Sequence, residues 1–414
     1  MDPYREAHPK GSPQFINKLN KIRVLHIIRE HEQVSRADIA KISGISAPTV
    51  TRIVDSLIKN TGLVHEVGIG KSSGGRRPTL VELSGYDNYV IGIDLGTTHI
   101  DGVLANLQGE TIVDVHSKTK IEEGFENIFE RLTSIICKLQ DHPKAKGKRL
   151  LGVGLAVPGL INRYDNIIEV SPDLHWESVD LEKILRQKCD LPLKFDNVTR
   201  VMALGELWYG IGNIARHFSV INIGYGIGAG IVIDGNLLYG PFGMAGEFGH
   251  VTMSKDSDIK CDCGNYGCLE ALASGNAMAK RARNAILAGE ESILKELSDN
   301  DINRIDTKLI AEAARKGDSL SVQIFDEAVE YLGTAVASLV NLISPEMVLI
   351  GGGVAQAEDL IFDRVREIVK RRTIKTRTRN VTIKPVSHMG SAATKGAVAL
   401  ILNEVLSLNF TDLN

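Results

Sequence analysis

Two segments of the chain repeat one pattern: a strand, a glycine-rich loop and a second strand. The first occupies 89–107 with its loop at Gly96, and the second occupies 218–235 with four glycines between 224 and 230. Such loops present backbone N–H groups to phosphate, and a pair of them is typical of two lobes that close on a nucleotide. A third apolar strand at 347–351 also runs into glycines, which fits contact with a nucleotide base or close packing. The repeat therefore predicts an α/β body built from two lobes.

Length and composition agree with a globular protein. The chain has 414 residues, of which 43% are apolar and 24% are charged, and this length leaves room for two or three domains of ordinary size. The stretch 1–10 is polar, unlike a signal peptide, and no apolar run approaches the ~18 residues of a membrane span. We therefore expect a cytoplasmic protein without a membrane segment.

The charges are unevenly distributed along the chain. Residues 1–85 contain 13 Lys and Arg against 8 Asp and Glu, a balance of +5, whereas the rest contains 35 against 43, a balance of −8. A basic segment joined to an acidic body suggests a nucleic-acid-binding module attached to a second function.

The basic segment carries the pattern of a helix-turn-helix. Apolar spacing predicts a first helix over 20–30. Ser35 and Asp38 have the spacing of a capping box at the start of a second helix, which Gly44 ends, and a third helix is predicted over 46–62. Three short helices with a tight glycine turn are typical of a helix-turn-helix module.

The third helix and the loop between predicted strands at 63–67 and 79–83 are the candidate DNA contacts. Outward residues at the start of the third helix would face base edges and phosphates in the major groove; they are Ala47, Thr49, Thr51 and Arg52. The loop at 68–78 has the composition of a wing, and its cations would reach phosphates or the minor groove; they are Lys71, Arg76 and Arg77. The alternative is a three-helix packing module with a solvated basic loop.

Three of the five cysteines form a cluster with metal-ligand spacing. Cys261, Cys263 and Cys268 lie within eight positions, and His250 precedes the first of them by eleven residues. Three thiolates and one imidazole make a closed tetrahedral set that suits structural Zn²⁺ and leaves no coordination position for catalysis. The alternative is a group of free buried cysteines.

Two carboxylates flank this cluster. Glu247 precedes His250 by three residues and Glu270 follows Cys268 by two, so a bound metal would place both carboxylates where they accept hydrogen bonds from vicinal hydroxyls of a sugar. His250 can serve both functions if one ring nitrogen binds the metal and the other faces the ligand. The alternative is a pair of solvated carboxylates beside a structural metal.

Taken together, these motifs resemble the ROK family of sugar kinases and sugar-responsive transcriptional repressors, over nearly the whole chain. The matching segments are GGRRP at 74–78, IDLGTT at 93–98, AVPG at 156–159, IGYGIGAG at 223–230, GEFGH at 246–250, CDCGNYGC at 261–268 and IGGG at 350–353. The resemblance implies an actin/hexokinase-like (ribonuclease-H-like) body and a zinc ion on the cysteine cluster. Because the family's kinases generally lack a DNA-binding head, it places this chain with repressors similar to xylose-, glucose- or N-acetylglucosamine-responsive regulators.

The resemblance also implies which residues hold the sugar: Asn197, Glu247, His250 and Glu270. The family's kinases have Asp directly after the Asn, as the general base for the attacking sugar hydroxyl, and this chain has Val198 there. A slip to Asp196 is excluded because the segments on both sides match at the same spacing. Since valine cannot accept a proton, we expect no phosphoryl transfer.

The two glycine loops depart from the kinases as well. Tyr225 stands where the kinases usually have Thr, and His99 where they usually have Lys. We therefore expect a repressor that binds operator DNA and senses a free monosaccharide. The alternatives are an active ATP-dependent sugar kinase with a regulatory DNA-binding head, and a protein-interaction module on an inactive kinase.

The sequence suggests three folded units. We predict a winged helix over 1–85, a first lobe over 86–202 with 392–414, and a second lobe over 203–391. Helix-turn-helix repressors usually read pseudo-palindromes as two-fold dimers, so a homodimer or a dimer of dimers is expected. A second basic run, at 370–379, is interpreted as a solvated helix end and not as a nucleic-acid patch.

Overall fold

The N-terminal head is a winged helix. In the computed structural model, which describes residues 12–70, 77–162, 165–212, 214–376 and 380–406, its helices are α1 (Pro13–Glu30), α2 (Arg36–Ser43) and α3 (Ala47–Ser56). The last turn of α3 continues through a wider turn at Leu57–Thr61. The head's antiparallel sheet contains β1 (Val34–Ser35), β2 (Val64–Ile69) and β3 (Thr79–Leu83), with β3 in the centre.

Helix α2 begins and ends at the predicted residues. Ser35 Oγ accepts the backbone N–H of Asp38 at 3.1 Å, which confirms the cap. Gly44 ends α2 with φ +69°, a conformation that favours glycine. Ser46 precedes α3, and its hydroxyl lies 2.8 Å from Thr49 Oγ1 and makes no hydrogen bond to a backbone N–H.

Helix α1 is longer than the apolar spacing predicts. It begins at Pro13 and not near Asn20. Ser12 Oγ accepts the N–H of Phe15 at 3.2 Å, and proline suits the first helical position because its missing N–H is not needed there.

The first lobe of the body is a five-stranded sheet. Its strands are β4 (Asn88–Leu95), β5 (His99–Asn106), β6 (Thr111–Lys118), β7 (Arg149–Val157) and β11 (Leu193–Asn197), in the order β11-β7-β4-β5-β6. A separate small sheet contains β8 (Leu160–Asn162), β9 (Ile167–Ser171) and β10 (Trp176–Val179). The helices of this part are α4 (Phe125–Gln140), α5 (Leu181–Leu185) and α6 (Val198–Tyr209).

The second lobe repeats the plan with a second five-stranded sheet. Its strands are β12 (Phe218–Ile223), β13 (Ile227–Ile233), β14 (Asn236–Leu237), β15 (Met347–Gly351) and β16 (Thr382–Pro385), in the order β14-β13-β12-β15-β16. The helices are α7 (Leu269–Ala273), α8 (Gly275–Leu287), α9 (Leu294–Leu297), α10 (Thr307–Arg315), α11 (Ser319–Ile343) and α12 (Glu358–Arg372). The final helix, α13 (Ala392–Val405), returns to the first lobe.

Helices α6 and α13 pack closely against each other between the sheets. A Cβ atom at Gly396 would lie 2.0 Å from the backbone oxygen of Val201, and one at Gly205 would lie 2.9 Å from the backbone nitrogen of Gly396. Any side chain at these glycines would push the two helices apart. The crossing therefore requires glycine on both helices.

The head is held against the body by a shared core and by hydrogen bonds. Buried side chains of α1, including Leu25 and Ile28, belong to the same apolar cluster as Ile401 and Leu402 of α13. Asn88 Nδ2 donates to the Gly62 oxygen at 2.7 Å, and Arg149 Nη1 donates to the Thr61 oxygen at 3.1 Å. These contacts fix the end of α3 to the first lobe.

The strands of the two lobes and the basic run at 370–379 bear on two further predictions. The strands of the two large sheets come from residues 88–197 and from residues 218–385. The bounds of the three folded units remain a prediction. In the basic run, Arg371 and Arg372 at the end of α12 pair with Glu330 at 2.9 and 2.8 Å, and 377–379 lie outside the described residues. Among the described helices, none combines the length and the apolar character that crossing a membrane requires.

Candidate functional site

The predicted DNA-reading residues lie at the start of α3. Ala47, Thr51 and Arg52 are exposed and Thr49 is partly buried, whereas Val50, Ile53 and Val54 of the same helix are buried. The hydroxyl of Thr51 donates to the Ala47 oxygen at 3.0 Å, so it is partly occupied within the helix. In the wing, Arg77 is exposed, and Lys71 and Arg76 lie outside the described residues.

The predicted metal ligands converge in the second lobe. The donor atoms of His250, Cys261, Cys263 and Cys268 all lie within 4.8 Å of one another. His250 Nδ1 is 3.7 Å from Cys261 Sγ, and the sulfurs of Cys263 and Cys268 are 3.8 Å apart. Two thiolates on a tetrahedral zinc ion with Zn–S bonds of about 2.3 Å would lie about 3.8 Å apart. The four residues therefore fit a tetrahedral metal site.

The same cluster positions the two predicted sugar-binding carboxylates. His250 turns its other ring nitrogen, Nε2, toward Glu247 Oε2 at 4.0 Å. Cys268 is the N-cap of α7, which places Glu270 in the first turn of that helix, where its Oε2 accepts the N–H of Ile227 at 2.7 Å. Burial raises the pKa of both Glu247 and Glu270.

Gly226 shows why the second loop needs glycine at this place. A Cβ atom there would lie 2.4 Å from Glu270 Oε2. The bare backbone lets the carboxylate of α7 reach the start of β13. The glycines of this loop therefore serve the approach of a side chain as well as any role with phosphate.

Asn197 lies at the end of β11 and caps α6. Its side-chain oxygen accepts the N–H of Thr199 at 2.9 Å, and its Nδ2 donates to the Gly159 oxygen at 2.9 Å. An amide nitrogen has two hydrogens, so one donor is left for a ligand. Asn197 therefore positions the helix as well as offering a contact.

The carboxylate next to Asn197 is held by an ion pair. Asp196 Oδ1 accepts from Arg200 Nε at 2.8 Å and from the Asn197 N–H at 2.7 Å. Arg200 is 1% exposed, and its Nη1 donates across to the Gly243 oxygen of the second lobe at 2.9 Å. The structure thus places Asp196 in a buried pair that bridges the lobes, and Val198 occupies the first position of α6.

Asp173 is a further candidate site residue, which the sequence interpretation missed. It lies in a short helix at Pro172–Leu174, and burial, followed by the charges of Glu270 and Asp262, raises its pKa to about 6. Its Oδ2 would be 3.6 Å from a Cβ at Gly226. No local signal marks this residue, because the small sheet carries it to Glu270 from a distant part of the chain.

Comparison with known proteins defines the class. The chain matches the ROK family over residues 90–404 and the MarR family over residues 18–65. The protein belongs to the ROK family. The expected fold, a winged-helix head on a two-lobed actin/hexokinase-like body, is confirmed.

Individual relatives include repressors and kinases. The xylose repressor of Caldicellulosiruptor bescii is 34% identical over 397 residues, which cover 96% of this chain and 98% of that protein. A crystal structure of a ROK family transcriptional regulator, a homologue of the Escherichia coli Mlc protein, matches with TM-score 0.79 and 28% identity over 95% of this chain and 98% of its own. The glucokinase of Halalkalibacterium halodurans is 33% identical over 282 residues, 68% of this chain and 85% of the kinase. The matches to the xylose repressor and to the transcriptional regulator cover 96% and 95% of this chain, whereas the match to the glucokinase covers 68%.

The pKa of Asp173 generates a prediction about stability and pH. Because the folded pKa is about 6 against an ordinary 3.8, ionising the side chain costs stability. The stability that the protonated carboxyl contributes is complete below pH ~4 and is lost as the pH rises through 6. Asp173→Asn should therefore be more stable than wild type by about 1–3 kcal/mol at pH 7.5 and equal to it near pH 4.

Urea unfolding at the two pH values measures this difference. Asp141→Asn, at an exposed position, is the matched control and should change neither value. Equal stability of Asp173→Asn and wild type at pH 7.5 would contradict the assignment.

Proposed function

We propose that this protein represses carbohydrate-utilisation genes and that its kinase-like body senses a free sugar without phosphorylating it. The observation that carries the proposal is the set of side chains at the start of α6. Val198 stands where the resemblance places the kinases' general base, and the neighbouring Asp196 is committed to Arg200. The residues that would hold a sugar remain, while the proton acceptor for phosphoryl transfer does not.

Asn197, Glu247, His250 and Glu270 are the proposed sugar contacts. Glu247 offers a carboxylate oxygen 4.0 Å from His250 Nε2, Glu270 offers one beside Gly226, and Asn197 has one N–H to donate. Sugar hydroxyls both donate and accept, so a mixed set of carboxylate, imidazole and amide groups suits them. Asp173 is proposed as an additional member because its side chain approaches Glu270 at Gly226.

The metal cluster is proposed to hold structural Zn²⁺ through His250, Cys261, Cys263 and Cys268. When bound, zinc supplies a rigid tetrahedral anchor and no open coordination position. The anchor would fix the segment between β14 and α7, with Glu247 near one end and Glu270 at the other. Burial raises the pKa of Cys261 to about 12, so metal binding there has to displace a proton.

Helix α6 is proposed to carry the sugar signal to the head. Its N-terminus is capped by Asn197, and at the other end the Trp208 ring lies beneath the guanidinium of Arg29, with Arg29 Cζ 4.2 Å from the ring centroid. Twelve residues at 1.5 Å each make a rod of about 18 Å. Because α6 joins the sugar cleft to α1 of the winged helix, closure of the lobes would move the head.

A sugar changes operator affinity only if it binds one arrangement of the lobes better than the other. Arg200 contacts both lobes at the cleft, so closing the cleft changes the surroundings of α6 itself. Two heads on a two-fold homodimer, or on a dimer of dimers, would then change their spacing across the operator half-sites. The proposal places the protein in the cytoplasm, with the DNA.

The rival candidate is an ATP-dependent sugar kinase with a regulatory head, and the 33% identity to a glucokinase favours it. With ATP, Mg²⁺ and a panel of free monosaccharides, we expect no sugar-dependent ADP, while calorimetry detects one sugar per subunit. Glu247→Ala or Glu270→Ala should abolish sugar binding and leave sugar-free operator binding unchanged. Sugar phosphate formed at a normal kinase rate would establish the kinase instead.

The DNA-binding assignment is tested on the head. Arg52→Ala should weaken operator binding by about 1–3 kcal/mol if it reads a base, and the double variant Arg76→Ala/Arg77→Ala should weaken binding to all sequences and flatten the salt dependence. Gel shifts at several salt concentrations measure both. The matched control is Lys375→Ala in the second basic run, which should bind as wild type does. Wild-type operator affinity in both head variants would refute the assignment.

The role of α6 is tested by Arg29→Met, which keeps apolar volume and removes the cation from the Trp208 ring. A cation–π contact is worth about 1 kcal/mol, so the sugar-induced change in operator affinity should fall by about fivefold. The sugar dissociation constant should stay within about twofold of wild type, because Arg29 lies at the far end of α6. Arg186→Met, on an exposed part of the body, is the control. An unchanged sugar effect in Arg29→Met would exclude this route.

A further inference from the structure

A second cluster of metal-ligand side chains lies in the first lobe, apart from the cysteine site. Its members are Asp94 at the end of β4, His99 and Asp101 at the start of β5, and His116 near the end of β6. In the antiparallel sheet, Asp94 pairs with Asp101 and Asp101 pairs with His116. Paired residues share a face, and His99 lies two positions before Asp101 on the same face. The register thus gathers two carboxylates and two imidazoles at one place.

The distances between these groups suit a metal ion. His99 Nε2 is 3.3 Å from Asp94 Oδ2 and 3.6 Å from Asp101 Oδ2, and the donor atoms of the three residues lie within 4.8 Å of one another. Donors on an ion with bonds of about 2.1 Å and tetrahedral angles lie about 3.4 Å apart. His116 Nδ1 is hydrogen-bonded to Asp101 and its ring stacks on that of His99 at a centroid distance of 6.2 Å. His116 therefore lies beside the three-residue set, in contact with its Asp101.

Two further observations point to a ligand. Among the described residues, Asp94 Oδ1 is buried and has no hydrogen-bond partner. The other ring nitrogen of His99, Nδ1, lies 3.1 Å from Thr98 Oγ1, which holds the ring with Nε2 toward the carboxylates. An outer hydrogen bond of this kind commonly orients a metal-binding imidazole. Ion pairing alone leaves Asp94 Oδ1 unexplained.

The cluster is also open on one side. The side chain of Asp94 is 14% exposed and that of His116 is 67% exposed, so an ion can enter from solvent while its innermost donor is protected. The turn that carries His99 is closed by the Gly96 N–H donating to the His99 oxygen at 2.8 Å. A metal here would join β4, β5 and β6 at the first glycine loop.

We propose that Asp94, His99 and Asp101, with His116 as a fourth donor, bind a divalent transition-metal ion independently of the cysteine cluster. Imidazole and carboxylate donors suit ions such as Zn²⁺, Co²⁺ or Mn²⁺ better than Ca²⁺, which prefers oxygen ligands alone. The site stands on the register of three strands and does not depend on whether the protein represses transcription.

Metal stoichiometry tests the proposal on the full chain. After equilibrium dialysis against Zn²⁺, His99→Gln/Asp101→Asn should hold one equivalent per chain less than wild type, and the exposed variant His116→Gln should bind that equivalent at least tenfold more weakly. His217→Gln is the matched control, because His217 pairs with Asp234 at the surface at 3.3 Å and lies outside the cluster, and it should lose no metal. No loss of metal in the double variant would overturn the proposal.

Cobalt distinguishes the two clusters by their donors. With Co²⁺ in place of Zn²⁺, the wild-type spectrum minus that of His99→Gln/Asp101→Asn should lack a thiolate-to-cobalt charge-transfer band, since the lost ion has only nitrogen and oxygen ligands. Circular dichroism establishes that the variant is folded. A difference spectrum with the thiolate band would show that the variant had disturbed the cysteine cluster and would refute the assignment.

Discussion

The close crossing of α6 and α13 is the contact on which the rest of the structure depends. Gly205 and Gly396 meet backbone to backbone, and further glycines bring α13 onto the first sheet: a Cβ at Gly154 would lie 2.0 Å from the Ala397 oxygen. On its other side α6 packs on β13, where a Cβ at Gly230 would lie 2.4 Å from the Thr199 oxygen. Glycine thus lets two helices lie between two sheets at a separation that side chains would forbid.

Because α6 lies at this crossing, its residues take part in each part of the molecule. Asn197 caps the helix, Arg200 contacts Asp196 and Gly243, and Glu206 accepts both the N–H and the hydroxyl of Ser387 at 2.6 Å, which ties the helix to the segment after β16. Trp208 meets the head through Arg29. Glu206 is therefore structural, and the helix reaches from the end of β11 to the winged-helix head.

Local features of the fold could be predicted from the sequence because they depend on neighbours along the chain. The Ser35 cap and the Gly44 turn need only three or four residues, and the ligand set of Cys261, Cys263 and Cys268 needs only eight positions. The predicted start of α1 is wrong because Ser12 and Pro13 signal a helix start ahead of the apolar repeat. Asp173 was missed for the opposite reason, since its partner Glu270 is 97 positions away and only the packing of the small sheet joins them.

The sequence by itself determined the two-lobed plan, the winged helix, the metal-ligand spacing and the aliphatic residue at position 198. Each of these features depends on residue types at short, regular intervals in the sequence, because the helix period, the alternation of a strand and the geometry of metal ligands all act over a few residues. Only the tertiary structure decided that Asp196 pairs with Arg200, that α6 reaches from the end of β11 to Arg29, and that Asp94, Asp101 and His116 line up across three strands. Those arrangements depend on strand register and helix crossing, which the whole core sets and no short segment encodes.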